Sequence, residues 1–292
     1  MWKLYVLVAV VVLGVLEGWR TRGDTWRRSR RDWTVELLCA GLLPGAVVPL
    51  VTYAVAGALS HAAPGGRGAL AWLPWPLMVG AFLLVDDLTQ YLWHRLSHTS
   101  PLLWRLHRAH HAAPKMGVAV TFRNNLFYYA MMPGLWLSPV MVYLGMGEVY
   151  PWYAFFKMLV VVGAHSELRY DRVLWRHRAT RPIAWILERL LSTPATHFAH
   201  HGLDATDPGT HYRGNFGNML FVWDLLFGTA KITRIYPKSF GIEGEPEMSW
   251  PTQLVWPLAA EPHAAPPEPA VDLVEVGASE RGSSSRPSGL TA

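Results

Sequence analysis

Residues 94–111 read HRLSHTSPLLWRLHRAHH, and residues 197–201 read HFAHH. These two stretches hold eight of the thirteen histidines in three groups: His94 and His98; His107, His110 and His111; His197, His200 and His201. On a helix, residues three and four apart share a face, so each group turns its imidazoles toward one place. Neutral imidazole is the commonest metal ligand in proteins and suits iron, copper, zinc and nickel. A lone histidine is usually a surface or hydrogen-bonded core residue. An H-x-x-H-H string that occurs twice, beside an H-x-x-x-H, reads instead as a metal site. Eight ligands exceed what one tetrahedral ion takes, so the pattern points to two metals.

The flanks place these groups on helices. Ser100 before Pro101, and Thr193 before Pro194, match the cap-then-proline start of a helix. RPIAWILERLL (181–191) alternates apolar and charged faces and is expected to lie along a membrane surface. FGNMLFVWDLLFGT (216–229) reads as a further helix.

Further out, the chain is unusually apolar: 51% hydrophobic, 16% charged and of mean hydropathy +0.15 over 292 residues. Apolar segments at about 2–18, 35–60, 71–93, 126–146 and 150–165 are candidate spans. Gly41, Pro44, Gly45 and Pro49 predict a kink in the second. Segment 2–18 lacks the features of a cleaved leader and reads as a retained helix. The formal charge of +5 is concentrated in WRTRGDTWRRSRRDW (19–33), a membrane-flanking anchor and not a nucleic-acid surface. If that loop is cytoplasmic, the positive-inside rule puts the N-terminus, 61–70 and 146–150 outside. All three histidine groups then fall on the cytoplasmic side. The single Cys39 excludes a disulfide framework.

The expected fold is therefore an all-α integral membrane protein. A bundle of four to five transmembrane helices would carry a cytosolic helical cap bearing the histidine groups. Residues 1–258 would form one domain and 259–292, rich in Ala, Pro, Ser and Glu, a disordered tail that includes His263. Composition points to a bacterial inner membrane.

Around the groups, His165 ends the fifth apolar segment on the same face and is the expected ninth ligand. His177 and His211 are weaker candidates, and His61 falls on the outer side. Asp87, one to two turns before His94, is placed to take a ligand's second N–H; Asp86 is less so. Tyr91 and Glu167 are expected just outside the ligands, although on a helix Glu167 would point away from His165. Arg95, Arg105, Arg108 and Arg123 are candidate contacts for an acidic head group or a partner protein. No H-E-x-x-H is present for a zinc peptidase, and Glu-x-x-His pairs of a soluble di-iron bundle are missing.

HRLSH, HRAHH and HFAHH resemble the three histidine boxes of the fatty acid hydroxylase/sterol desaturase superfamily of membrane di-iron oxygenases. The flanks DLTQYLWHR, TPATHFAHH and NFGNMLFVWDLLFGT agree, over about residues 80–245. The resemblance implies two irons held by the eight box histidines. It also implies O2 as co-substrate, electrons from a cytochrome b5- or ferredoxin-type reductase system, and a lipid substrate of sterol, ether or acyl type that is hydroxylated or, less expectedly, desaturated. Two departures stand out: Glu167 replaces a frequent asparagine, and DATDPGTHYRGNFG is longer than usual and carries His211. The different-class alternative is a non-catalytic membrane protein with a structural or sensory zinc cluster; zinc can also replace iron in a purified sample.

Overall fold

The computed structural model describes residues 2–245 and 247–259. The expected tail beyond 259, with His263, lies outside them. The first apolar segment, free of proline, forms α1 (Trp2–Arg20). Ser29 opens α2 (Arg30–Leu42), its hydroxyl accepting from the Asp32 amide at 3.0 Å. A π turn over Leu43–Val47 leads into α3 (Val48–Ala62) without a break. Pro44 has no N–H to give and its ring crowds the preceding turn, so the helix widens there. The third segment is α4 (Trp75–Phe82), a π turn at Leu83–Leu88, and α5 (Thr89–Ser97).

α6 (Pro101–His111) begins on Pro101; Ser100 holds the cap position with extended backbone, but its hydroxyl makes no cap bond. The fourth segment is split into α7 (Leu126–Ala130) and α8 (Pro133–Met141), because Pro133 cannot extend the preceding helix. Gly145 then turns the chain at φ 115°, where a Cβ would lie 2.7 Å from the Ala71 amide nitrogen. α9 (Tyr150–His165), α10 (Tyr170–Arg176), α11 (Arg181–Leu190), α12 (Pro194–His200), α13 (Val222–Leu226) and α14 (Trp250–Val255) complete the described residues. The only extended pairing among them is two isolated bridges, Leu191 with Leu220 and Gly202 with Phe240.

One expectation changes and one is met only in part. The helix expected over 216–229 shrinks to α13, because Phe216 and Gly217 give their amides to the Asp224 carboxylate at 2.8 and 2.7 Å. Among the described residues one helix, Arg30–Ala62, is long and apolar enough by itself to cross a bilayer. Of the other expected spans, 2–18 lies within the uninterrupted 19 residues of α1 and the rest are shorter or interrupted, such as the 16 residues of α9, so helix length does not establish four or five crossings. Exposed apolar residues nonetheless line α1 (Leu7, Val8, Val11), α3 (Leu50) and α9 (Trp152, Phe156), a distribution that suits lipid.

α1 packs on α9 and α3 on α8. Met78, Phe82, Met141, Val160 and Met219 form the main apolar cluster. At its edge Asp86 accepts from Tyr153 Oη at 2.8 Å and Lys157 Nζ at 2.6 Å, joining the helix of the first box to α9.

Arg123, expected as a head-group contact, is fully buried instead. Its guanidinium donates to Ala109 O, Asp32 Oδ1 and Glu36 Oε1 at 2.9, 2.9 and 3.3 Å, and to Gln253 on α14. The arginine thus binds the second box to α2 and α14. Removing one partner of such a buried network typically costs about 3–5 kcal/mol, because the remaining charges stay desolvated. Arg123→Met should therefore unfold at a distinctly lower temperature in detergent; an unchanged midpoint would contradict this role.

Candidate metal centre

α5 carries His94, with His98 just past its end; α6 carries His107, His110 and His111; His165 ends α9; α12 carries His197 and His200, with His201 following. The fold brings all nine together in two groups. His94, His98, His107, His111 and His200 form one, and His110, His165, His197 and His201 the other; the ligand nitrogens within each lie within 4.8 Å of one another. The groups adjoin, with the His111 and His201 rings stacked at 4.4 Å. Successive helical residues diverge by about 100°, so the doublets His110-His111 and His200-His201 each send one ring to each group. That explains why H-H recurs in boxes two and three and not in the first, which serves one group only.

The ring nitrogens indicate what these groups could hold. His94 Nδ1 lies 2.7 Å from Phe216 O and His200 Nδ1 lies 2.8 Å from Gly214 O. A carbonyl only accepts, so both Nδ1 atoms carry the hydrogen and both Nε2 atoms are bare lone pairs. Those two Nε2 atoms face each other at 3.0 Å. In the second group His110 Nδ1 is held by Arg123 O at 2.9 Å and His165 Nδ1 by Val161 O at 2.8 Å, with their Nε2 atoms 3.5 Å apart. Facing lone pairs repel unless a cation sits between them. His98 Nε2, also buried, has no hydrogen-bond partner at all.

A proton is a poor candidate for that cation. Burial first, then repulsion among neighbouring imidazoles, holds His107, His110, His111, His197, His200 and His201 well below the ordinary imidazole value. The rings stay neutral and keep their lone pairs available. Nine imidazoles without a carboxylate make a donor set suited to a borderline transition metal, not to calcium or magnesium.

Backbone carbonyls, not Asp87, orient four of these histidines. Asp87 is buried and accepts from Trp223 Nε1 at 2.8 Å and the Leu220 amide at 3.2 Å; it touches no histidine. The residue that positions His94 is Asp224, fully buried, whose carboxylate holds the Phe216 and Gly217 amides and accepts from Thr229 Oγ1 at 2.6 Å. Gly214 must be glycine, since a Cβ would come 2.3 Å from Thr229 O. Tyr91 lies one turn before His94, its hydroxyl 2.9 Å from Thr229 Oγ1 and its ring stacked on Phe227.

Glu17 on α1 is a second residue that motif reading missed. Its carboxylate accepts from the amides of Val118 (3.1 Å) and Glu167 (2.8 Å) and from Ser166 Oγ (3.1 Å), clasping the loop after box two to the end of α9. The available signal was a lone acid in an apolar segment. Glu167 itself pairs with Arg169 at 2.7 Å and joins neither group.

The remaining candidates do not reach the groups. His177 is exposed; His211 is half-buried, its Nε2 3.2 Å from Thr229 O. Arg108 pairs with Glu245 at 3.3 Å, Arg105 lies over the Trp256 ring, and Arg95 is half-buried. Of the four arginines, Arg108 and Arg123 are therefore engaged internally.

Two outcomes follow. Asp224→Asn keeps the size but loses one anionic acceptor, freeing the carbonyl that orients His94; metal affinity, followed by competition with a chelator, should fall about 10–100-fold. Because the imidazoles are held below the ordinary value near 6.5, proton competition is delayed. Bound metal should be retained at pH 5.5, where free imidazoles are mostly protonated; loss between pH 7 and 6 would contradict the buried, neutral donor set.

The chain is similar in sequence to known proteins. The chain is 26% identical over 160 residues to human (Homo sapiens) alkylglycerol monooxygenase, covering 54% of this chain and 32% of that one. It is 29% identical over 195 residues to ornithine lipid hydroxylase OlsE of Rhizobium tropici, covering 63% and 52%, and 28% identical over 174 residues to fatty acid hydroxylase vlmA of Lecanicillium sp, covering 56% and 44%. The chain thus spans about a third to a half of the length of these curated relatives. No solved structure matches it. Residues 79–229, more than half of the chain and all three boxes with His165, match the fatty acid hydroxylase family, so the chain belongs to that family.

Proposed function

We propose that this chain is a membrane-bound, non-haem di-iron oxygenase that hydroxylates a lipid C–H bond. The observation that carries the reading is the pair of adjoining all-imidazole groups, each with Nε2 lone pairs converging on one point. One iron would be held by His94, His98, His107, His111 and His200, the other by His110, His165, His197 and His201. When bound, the two irons would supply the activation of O2 that converts C–H to C–OH, with two electrons and two protons delivered from outside and one water released. A cytochrome b5- or ferredoxin-type system would be the electron source. The names of the relatives, an alkylglycerol monooxygenase and an ornithine lipid hydroxylase, support a polar-lipid substrate and favour hydroxylation over desaturation.

The chain's own residues then have three tasks. Carbonyls of Phe216, Gly214, Arg123 and Val161 fix the tautomers of four ligands. Phe216, against His94, His98 and His200, and Tyr128, stacked at 4.6 Å on His107, wall the centre with apolar surface and exclude water. The apolar helices α1–α4 and α9 seat residues 1–258 as one unit in a membrane, which we place as a bacterial inner membrane with the centre on the cytoplasmic side.

Expression in a host supplied with sterol, ether and acyl lipids, followed by lipid mass spectrometry, tests this directly. The expected product has gained one oxygen and depends on O2 and on His110; His110→Ala and His165→Ala should abolish it while the protein stays folded. Metal analysis should find close to two irons per chain, one for each histidine group. Zinc without O2-dependent product, or identical lipid profiles for wild type and His110→Ala, would overturn the reading.

A further inference from the structure

Two helices flanking the third box are inside out. On α11 the buried positions are Ala184 and Glu188, each 3% exposed, while Ile183, Trp185, Ile186 and Leu190 are 47–52% exposed. On and just after α13 the buried residue is Asp224, at 0%, while Leu225, Leu226 and Phe227 are 45–68% exposed. A helix on a water-bathed surface does the reverse, turning apolar residues inward and carboxylates outward. α11 and α13 also touch, so their exposed faces make one apolar surface larger than isolated exposed leucines.

The inward carboxylates show why the inversion is tolerated. Glu188 accepts from Arg234 at 2.9 and 2.7 Å, from Trp175 Nε1 at 3.2 Å and from Arg189 at 2.6 Å. Asp224 holds the turn that presents Phe216 O to His94. Both acids are fully employed inside, leaving the outer faces to apolar side chains.

We propose that the α11–α13 surface rests in the interfacial layer of an anionic bilayer, as a contact separate from the apolar helices, so that the scaffold of the third box is seated directly on lipid. This rests on the reading that the chain is membrane-bound. Charge selects lipid as the occupant. Arg176, Arg178 and Arg181 are exposed beside the start of α11, and the Arg189 guanidinium lies 4.1 Å from the Trp185 ring centroid at its apolar edge. Arginines bordering an apolar, tryptophan-bearing face fit head-group phosphates above acyl chains. The surface is also continuous with the helix of the first box, since Phe227 stacks on Tyr91 at 5.3 Å and the neighbouring Leu92 and Leu96 are exposed.

The full-length protein is reconstituted in vesicles of phosphatidylcholine and phosphatidylglycerol with an environment-sensitive dye on a single new cysteine; the native Cys39 is buried. Sites are Ile186→Cys and Leu226→Cys on the surface, Leu50→Cys on the long apolar helix and Ala205→Cys on an exposed loop. Lipids spin-labelled near the head group should quench dye at 186 and 226 at least about twofold more than dye at 205. Quenching at 50 but not at 186 or 226 would overturn this contact while leaving the membrane reading intact. Quenching at none of the sites would overturn both. Dye at 226 that is shielded from water yet blind to spin-labelled lipid, with 226–226 cross-linking between copies, would assign the surface to self-association and equally overturn the proposal. Iron content and activity enter none of these readouts.

Discussion

A buried imidazole that offers a lone pair from one nitrogen is held in place when the hydrogen of its other nitrogen has an acceptor, a condition that the Nδ1 atoms of His107 and His197 do not meet. Four ligands meet it with backbone carbonyls: Phe216, Gly214, Arg123 and Val161. Only the last belongs to the ligand's own helix. The other three stand on segments with little regular structure, and much of the rest of the fold holds those segments still. Asp224 pins 216–217, the absence of a Cβ at Gly214 lets the chain approach Thr229, and the Arg123 network pins 123 between α2, α6 and α14.

The buried charges follow the same logic. Asp32 and Glu36 pair with Arg123; Asp86 meets Lys157 and Tyr153; Glu17 and Asp87 accept backbone or indole N–H groups. Carboxylates occupy the interior while leucine, valine and tryptophan cover much of the outside. That distribution reverses the pattern of a water-soluble domain and is economical where the outer medium is hydrocarbon.

Which of these features could be read from sequence depends on their range. The convergence of the box histidines and His165 was legible because helical spacing and a place at the end of an apolar segment are local or nearly local properties. The kink at Pro44 was legible because proline acts on its own turn. Asp224 was not, although the W-D flank was in view, since its role depends on amides seven and eight residues earlier that abandon the expected helix. Glu17 and Arg123 act across 101 and 91 residues, respectively, to Val118 and Asp32, and no spacing rule reaches that far. Arg123 was misread as a surface contact for that reason: a guanidinium near a membrane segment is usually solvated, and only the tertiary fold supplies its two carboxylates. Asp87 failed in the opposite sense, being correctly seen as an embedded acid but given the wrong donor.

The bond from Arg123 to Gln253 also bears on how the centre comes into being. The second box is bridged to a helix that leaves the ribosome about 130 residues later, and Glu17 waits 150 residues for the Glu167 amide. The Arg123 guanidinium therefore has its full set of partners only once α14 has been made. Capture of a metal by the histidine groups would therefore follow the synthesis of α14, and a chain that stops short of it would lack the Gln253 end of this bridge.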